Sequence, residues 1–427
     1  MHITVIGSGY VGTTMAACFA DLGHQVTAID IDEAIVEAIN DGTAPIDEPG
    51  LDDLLETHTQ HSLEATTSYD PIPDSDVTFL AIGTPSNPDG SIDLSALEAA
   101  AEATGEALAD KADRHLVVIK STVTPMSIQD TLEPAIQRGA NNDQVEVGMN
   151  PEFLREGSAV ADFQNPDKLV FGTNSEWATD QLQAVFEPLL EEQSVPIVDT
   201  DPATASMIKY ANNAFLASKI SLVNDLGNIC KEFGLDAYEV MDAIGLDDRI
   251  SDQFLRSGVG WGGSCFPKDV AAIIAAATQH GYDPALLEAA VEINERQPER
   301  LLDLLESHVD LEGARIAVLG LAFKPQTDDI RNSRAIPILE SPQKAGADIV
   351  AYDPVAIDPM RERFPDVEYA QSVEAALEGS DGALVVTGWD EFATLDEEFD
   401  AMATPVVVDG RRIVEPRDGI IYEGLTW

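Results

Sequence analysis

The sequence predicts an α/β protein: two doubly wound parallel-sheet units joined by a helical region with one long central helix. Three features predict it. Short apolar runs alternate with helical patterns through residues 1–200, one long helical pattern begins at 201, and the alternation resumes after 298. A chain of 427 residues is also too long for one compact core. The expected domains are 1–200, 201–297 and 298–427.

The elements follow in order. Residues 3–6 are an apolar run that ends in glycines, Val11 to Leu22 is small, apolar and helical in length, and 25–29 ends at Asp30. Further strand-like runs are 77–82, 116–119, 145–149 and 169–171. Asp201-Pro202 reads as a helix start, with Asp as cap and Pro at the first helical position. Ile208, Phe215, Leu222, Leu226, Ile229 and Phe233 then recur in steps of seven, four or three, an apolar stripe along a helix that stops at Gly234. More helical sequence, broken by the glycine-rich stretch 258–263, continues to about 297. Runs at 315–319, 349–352, 383–386 and 405–408 form the second unit. It echoes the first weakly, because Gly320-Leu-Ala-Phe stands where the first has Gly7-Ser-Gly9-Tyr.

Composition narrows the functional class. Asp and Glu number 77 against 24 Lys and Arg, a net charge of −53, yet 44% of residues are hydrophobic, so a core can still form. This charge excludes nucleic acid as a natural partner, since phosphate binding needs basic surface. Acid spread along the whole chain suits molar salt, where the Debye length falls to about 3 Å, and points to a halophile. No apolar run reaches bilayer length, so no membrane partner is expected. The start MHITVIGSGY has no basic region followed by a long apolar one, and three cysteines cannot build a disulfide framework. The expectation is a cytoplasmic protein with no metal site.

Gly7-Ser8-Gly9-Tyr10-Val11-Gly12 is a G-x-G-x-x-G. Alone the pattern is weak, but here it follows a strand, opens a helix, and precedes Asp30 by 18 residues. The glycines let backbone approach a pyrophosphate at a helix N-terminus. Asp30 would accept from a ribose diol and repel a 2′-phosphate, which selects NAD over NADP. Cys265 lies in Gly260-Trp-Gly-Gly-Ser-Cys-Phe-Pro-Lys-Asp269, a loop able to press backbone against a ligand, with Lys268 close enough in sequence to favour a thiolate. Cys18 and Cys230, in apolar helices, read as small core residues. Lys209 and Asn213 share a helix face, and Asn212, Lys219 and Asn224 add polar groups to the same helix. Asn150-Pro-Glu152-Phe-Leu-Arg-Glu156-Gly and Lys120-Ser-Thr122 both follow strands, at the end of the sheet where open α/β folds bind ligands. Read alone, either could be a helix start and nothing more.

Taken in order, these motifs resemble those of the UDP-glucose 6-dehydrogenase family of nucleotide-sugar dehydrogenases. The matching stretches are GSGYVG, PIDEPGL, STV, NPEFLREGSAVADFQNPDKLVFG, MIKYANNAFLASKISLVND, GVGWGGSCFPKD and LAFKPQTDDIRNS. The resemblance implies two Rossmann-like domains, a homodimer formed along the long helix, NAD as cofactor and UDP-glucose as substrate. Under it, Cys265 resembles the nucleophile, and Lys209, Asn213 and Asp269 the proton-handling and oxyanion-stabilising groups. Thr122 and Glu152 resemble the groups that handle water. Thr84, Glu156, Lys268 and Arg331, with Tyr10 and Val11 of the fingerprint, match positions near the cofactor. Phe153, Leu154, Phe254, Leu255, Arg256, Gly262, Phe323 and Lys324 match the sugar-nucleotide site. Arg249 resembles an arginine supplied by the partner subunit, and Arg411 one from the last domain. Two positions depart from the pattern: Ile35 where the family often has Lys or Arg, and Met126 where Gly commonly follows Pro125. Three other readings stand beside this one. They are the same chemistry on GDP-mannose or a UDP-N-acetylhexosamine, a two-electron hydroxyacid dehydrogenase, and a non-enzymatic NAD-binding protein.

Overall fold

The first sheet is assembled from β1 (His2–Ile6), α1 (Tyr10–Asp21), β2 (Gln25–Ile29), α2 (Glu33–Asn40), α3 (Leu51–His58), β3 (Leu63–Thr66), β4 (Val77–Leu80), α4 (Ser95–Ala107), β5 (His115–Ile119), α5 (Glu133–Ala140), β6 (Val145–Met149), α6 (Ala159–Gln164), β7 (Leu169–Gly172), α7 (Glu176–Glu192) and β8 (Ile197–Thr200). The computed structural model describes all 427 residues, which divide into two compact units, Met1–Asn212 and Asn213–Trp427. The strand order of the first unit is β3-β2-β1-β4-β5-β6-β7-β8. β1, β4 and β5 are buried almost throughout, Thr4, Thr78 and His115 included, because helices cover both faces of the sheet. On one face Phe19 packs against Phe79, Phe163 and Phe186.

The sheet is not parallel throughout. β7 runs antiparallel to β6, meeting it through Met149 opposite Gly172, and β8 is parallel to β7. Being antiparallel, β7 starts at the end of the sheet where β6 stops, so the connection that carries α6 does not have to cross the sheet. The chain after β6 therefore stays at the strand end, and residues 150–158 are held there.

In the second unit β9 (Arg315–Leu319), β10 (Asp348–Tyr352), β11 (Glu368–Tyr369), β12 (Gly382–Val385), β13 (Val406–Asp409) and β14 (Ile421–Gly424) form an all-parallel sheet in the order β11-β10-β9-β12-β13-β14. Both sheets thus place their first strand between the second and fourth, the doubly wound arrangement expected from the alternation. The switch point falls where the glycine fingerprint leaves β1.

The long helix, α8 (Pro202–Glu232), begins as expected: the Thr204 amide donates to Asp201 Oδ1 at 2.9 Å. It is followed by α9 (Ala237–Gly245), α10 (Phe266–Gln279) and α11 (Ala285–Glu306), and α11 continues through Pro298. α8 departs from an ordinary amphipathic helix, because beside the small apolar Ala205, Ala214, Ala217 and Val223 it buries a run of polar groups. Its buried side carries Ser206, Lys209, Tyr210, Asn213, Ser221 and Asn224, while Phe215 is 70% exposed, Leu222 58% and Phe233 74%. Of the apolar stripe legible in the sequence, Phe215, Leu222, Ile229 and Phe233 face outward, while Ile208 and Leu226 are half-buried against core side chains. No helix is long and apolar enough to cross a membrane.

Candidate active site

The cofactor crevice is built where β1 gives way to α1. Gly12 packs so closely that a Cβ there would lie 1.7 Å from the Gly7 carbonyl oxygen, which is why this position needs glycine. Gly9 is the N-cap and offers no side chain to the helix start, and a Cβ added to it would meet nothing within 4 Å. The amides at the start of α1 therefore face open space, as a pyrophosphate seat requires. Asp30, directly after β2, accepts from the Ser8 amide at 2.6 Å and the Asp32 amide at 3.0 Å and stays partly exposed. The residues present fit NAD. Thr84 is buried and donates to the Thr122 carbonyl at 2.8 Å, which ties the end of β4 to the loop after β5. Glu156 lies half-buried on the loop after β6, as do Tyr10 and Val11 at the helix start.

A buried charged cluster lies in the same unit. Lys209 Nζ pairs with Glu152 Oε1 at 2.7 Å, both nearly without solvent contact. The Leu154 amide donates to Glu152 Oε2 at 2.6 Å. Burial alone pushes the Glu152 carboxyl up, but the Lys209 charge and hydrogen bond, the Leu154 amide and the charge of Lys120 together hold it below the ordinary carboxylate range. Lys120 is equally buried and donates to Asn150 Oδ1 at 2.8 Å. Burial pushes its ammonium down to about 7, with Lys209 adding to the drop and Glu152 opposing it. Two lysines thus share one carboxylate. Phe153 lies under the cluster, its ring 4.0 Å from Lys168 Nζ and 5.6 Å from Lys209 Nζ.

The second unit carries the sulfur. Cys265 is exposed and is the N-cap of α10, where the helix favours negative charge. Asn213 Nδ2 donates to Asp269 Oδ2 at 2.6 Å, and Lys268 Nζ pairs with Asp269 Oδ1 at 2.6 Å. The charge of Lys268, which the sequence suggested as the thiol's neighbour, is thus engaged by the buried Asp269. Lys209 and Asn213, one turn apart on α8, each join a different cluster. Neither lies on a solvated polar face, since they are 4% and 5% exposed.

Buried amides hold the Cys265 loop. Asn224 Oδ1 accepts from the Gly258 amide at 2.9 Å, Gln297 Nε2 donates to the Gly258 carbonyl at 2.8 Å, and Asn294 bonds both backbone groups of Trp261. Asn294 and Gln297 were not legible in the sequence, where they are two more polar residues in a charged helix. Gly262 presses against residue 332, and a Cβ there would meet the Asn332 carbonyl oxygen at 2.3 Å. Ahead of it, Leu255 is buried, while Phe254 is exposed and held at φ 59°, a conformation costing on the order of 1–3 kcal/mol. Arg256 pairs with Asp242, Arg249 with Asp247 and Arg331 with Asp329, all near the surface. Lys324 Nζ lies 5.6 Å from the Phe323 ring, and Arg411 Nε donates to the Val386 carbonyl at 2.6 Å. Cys18 and Cys230 are buried, and burial pushes the Cys18 thiol up to about 12.

A parallel sheet with a glycine fingerprint at its switch point and an acid after the second strand defines a dinucleotide-binding enzyme fold. Comparison with known proteins agrees along the whole chain. Residues 1–190 match the NAD binding domain of the UDP-glucose/GDP-mannose dehydrogenase family, 203–296 its central domain and 317–416 its UDP binding domain. A UDP-glucose 6-dehydrogenase of Haloferax volcanii, a halophilic archaeon, is 59% identical, with each chain covered in full. The structure of a UDP-glucose dehydrogenase from the hyperthermophilic archaeon Pyrobaculum islandicum is 39% identical with a TM-score of 0.94, covering 100% of this chain and 98% of that one. The structure of a UDP-D-ManNAc dehydrogenase from Pyrococcus horikoshii is 28% identical with a TM-score of 0.87, covering 100% and 99%. The chain belongs to the UDP-glucose/GDP-mannose dehydrogenase family and is an NAD-dependent dehydrogenase.

Proposed function

We propose that the chain oxidises UDP-glucose to UDP-glucuronate, in the cytoplasm, in two successive steps at one carbon. The observation that carries this reading is the buried inner face of α8, where Glu152 holds Lys209 and Asp269 holds Asn213, on a chain 59% identical to a UDP-glucose 6-dehydrogenase. Bound NAD supplies the hydride acceptor for each step. The first step takes a hydride from C6 and the hydroxyl proton, leaving an aldehyde. Cys265 as thiolate adds to the aldehyde carbon, forming a C–S bond and an oxyanion. Lys209 as ammonium and Asn213 as amide donor stabilise that charge. Loss of the second hydride leaves a thioester on Cys265. Glu152 takes a proton from a water that Thr122 orients, and attack of that water on the thioester breaks the C–S bond and returns the thiolate. The balance is one UDP-glucose, two NAD⁺ and one water giving UDP-glucuronate, two NADH and three protons. Asp30, Thr84, Glu156, Lys268 and Arg331 are assigned to the cofactor. Phe153, Leu154, Phe254, Leu255, Arg256, Gly262, Phe323, Lys324, Arg249 and Arg411 are assigned to the sugar nucleotide. The three-domain division 1–200, 201–297 and 298–427 goes with these roles. The test is NADH released per sugar nucleotide across UDP-glucose, GDP-mannose and UDP-N-acetylhexosamines. Two NADH per UDP-glucose with the other sugars slow is expected, and preference for another sugar moves the assignment to it.

The same reading pairs two copies of the chain along α8. Its support is the outward apolar stripe of Phe215, Leu222, Ile229 and Phe233, which a lone chain leaves in water. Sedimentation of a Phe215→Glu/Leu222→Glu variant should give monomers where the unaltered chain gives dimers.

A further inference from the structure

The stretch PIDEPGL in the segment between α2 and α3 is used by none of these roles, yet it contains one of the most fully engaged carboxylates in the first unit. Glu48 is 4% exposed. Its Oε1 accepts from the Ala159 amide at 2.6 Å and its Oε2 from the Gly157 amide at 2.9 Å, while the Tyr10 hydroxyl also donates to Oε2. Tyr10 is the first residue of α1, inside the glycine fingerprint. Gly157 and Ala159 close the loop that carries Glu152 and Glu156 and open α6. The Gly157 amide also donates to the Tyr10 oxygen at 2.9 Å, so the three groups form one closed set. Glu48 is itself fixed, because its carbonyl accepts from the Leu51 amide at 3.1 Å and the Ala44 amide is held by Asp52 at 2.8 Å.

We propose that Glu48 is a positioning residue that locks the pyrophosphate seat at the start of α1 to the 150–158 loop, so that the two are set as one piece. The proposal rests on the cofactor roles given above to the fingerprint and Glu156. The chemistry requires an anion at this place. Three donors converge on two oxygens, and a carboxylate has only acceptors to offer. Hydrogen bonds to a buried charge are about twice as strong as neutral ones. The other tie near the end of this loop runs through Asp162, which accepts from the Arg155 amide at 2.8 Å, the Arg155 guanidinium at 2.6 and 3.0 Å and the Ser158 hydroxyl; it links the loop only to α6 and does not reach the fingerprint. The middle of the loop is held separately by Glu152 on Lys209. Release of Glu48 would therefore loosen the end of the loop while leaving the charged cluster intact.

The test uses Glu48→Gln, which keeps the shape but turns an NH₂ toward N–H and O–H donors, together with Tyr10→Phe and the double variant. Calorimetric NAD affinity, KM for NAD, KM for UDP-glucose, kcat and the unfolding midpoint are measured for each. Glu48→Gln should raise Kd and KM for NAD about tenfold, the scale of one lost charge-assisted hydrogen bond. KM for UDP-glucose should stay within about twofold. Tyr10→Phe should reproduce part of the effect, and the double variant should be no worse than Glu48→Gln alone. A lowered unfolding midpoint with unchanged NAD affinity, or losses that multiply in the double variant, would overturn the proposal. If Glu48→Gln does not fold, Tyr10→Phe with unchanged NAD affinity overturns it alone. NAD binding needs no turnover. A protein that binds NAD with this Glu48 dependence yet leaves UDP-glucose untouched upholds the proposal and overturns the substrate reading.

Discussion

Asp30 follows β2 and Asp353 follows β10, at matching places in two sheets of the same strand order. Asp30 accepts two backbone amides and keeps part of its surface in solvent. Asp353 is fully buried and accepts five donors: the amides of Leu321, Ala322, Val355 and Ala356 and the Trp389 indole at 3.1 Å. Its lone pairs are taken, and no ribose could compete for them. Asp409, the last residue of β13, is engaged in the same way by the amides of Arg411, Ile413 and Val414 and by the Tyr422 hydroxyl. The same acid at the same topological place thus keeps part of its surface open to solvent in one sheet and is used up by the turn's own backbone in the other. What separates them is the turn before: Gly7-Ser-Gly9 leaves a helix start open, whereas the loop after Gly320 folds its amides onto the aspartate.

The largest effect should come from the exposed cysteine of the second unit. Cys265→Ser should lower kcat by about 10³-fold or more while leaving UDP-glucose affinity within a few-fold, because a hydroxyl is hardly ionised near neutrality. Cys18→Ser and Cys230→Ser should keep full activity, as both thiols are buried. Near-normal turnover in Cys265→Ser would remove the covalent step.

The two aspartates can be set against each other directly. Asp353→Ala strands five buried donors and should destabilise by about 3 kcal/mol, roughly 10 °C in the unfolding midpoint, with KM for NAD unchanged. Asp30→Ala should do the reverse: KM for NAD rises about tenfold and NADP becomes a usable cofactor, at a stability cost of about 1 kcal/mol. Equal use of NAD and NADP by the unaltered enzyme, or a cofactor defect in Asp353→Ala, would break the comparison.

A third experiment concerns charge burial in the first unit. Lys120 in the folded chain sits near 7, against 10.5 for an ordinary lysine. Between those values the unfolded chain binds the extra proton, so stability rises as pH climbs through that window. Its burial penalty is fully present below about pH 7. Lys120→Met, which abolishes this titration, should therefore be stabilised relative to the parent by about 2 kcal/mol at pH 7, and the advantage should shrink toward pH 10. The groups facing it, Glu152 and Lys209, are common to both proteins. A difference in midpoint that is flat with pH would show that Lys120 stays charged.

The smallest expected change is general to both sheets. With a net charge of −53, unfolding midpoints should rise by a few degrees from about 0.1 M to about 1 M KCl as the Debye length contracts from about 10 Å to about 3 Å. Midpoints that fall over this range would argue against adaptation to salt.

Much of the architecture was legible without coordinates. The strands at 25–29, 145–149 and 315–319, the helix start at Asp201 and the glycine turn after β1 are patterns of neighbouring residues, and local backbone preference is enough to produce them. β3, β8, β11 and β14 went unread, because strands of two to four residues with exposed positions carry no clear alternation. Of the candidate site, the fingerprint, Asp30, Cys265 and the Lys209–Asn213 pair stood out by residue type and spacing. Lys120, Glu48, Asn294 and Gln297 did not, though Lys120 opened one noted motif and Glu48 lay inside another.

Sequence by itself thus determined where strands and helices lie, which turn is open to a dinucleotide, and which cysteine sits in a loop. These follow from periodicity and from the few residues that glycine turns and helix caps allow. Only the tertiary structure decided which side of α8 loses its water, which carboxylate Lys209 pairs with, that Asp353 is saturated, and that Glu48 is gripped by amides 109 and 111 residues further along the chain. A side chain's charge state and hydrogen-bond partners depend on what packs against it, and groups that far apart in sequence meet only when the sheet has formed.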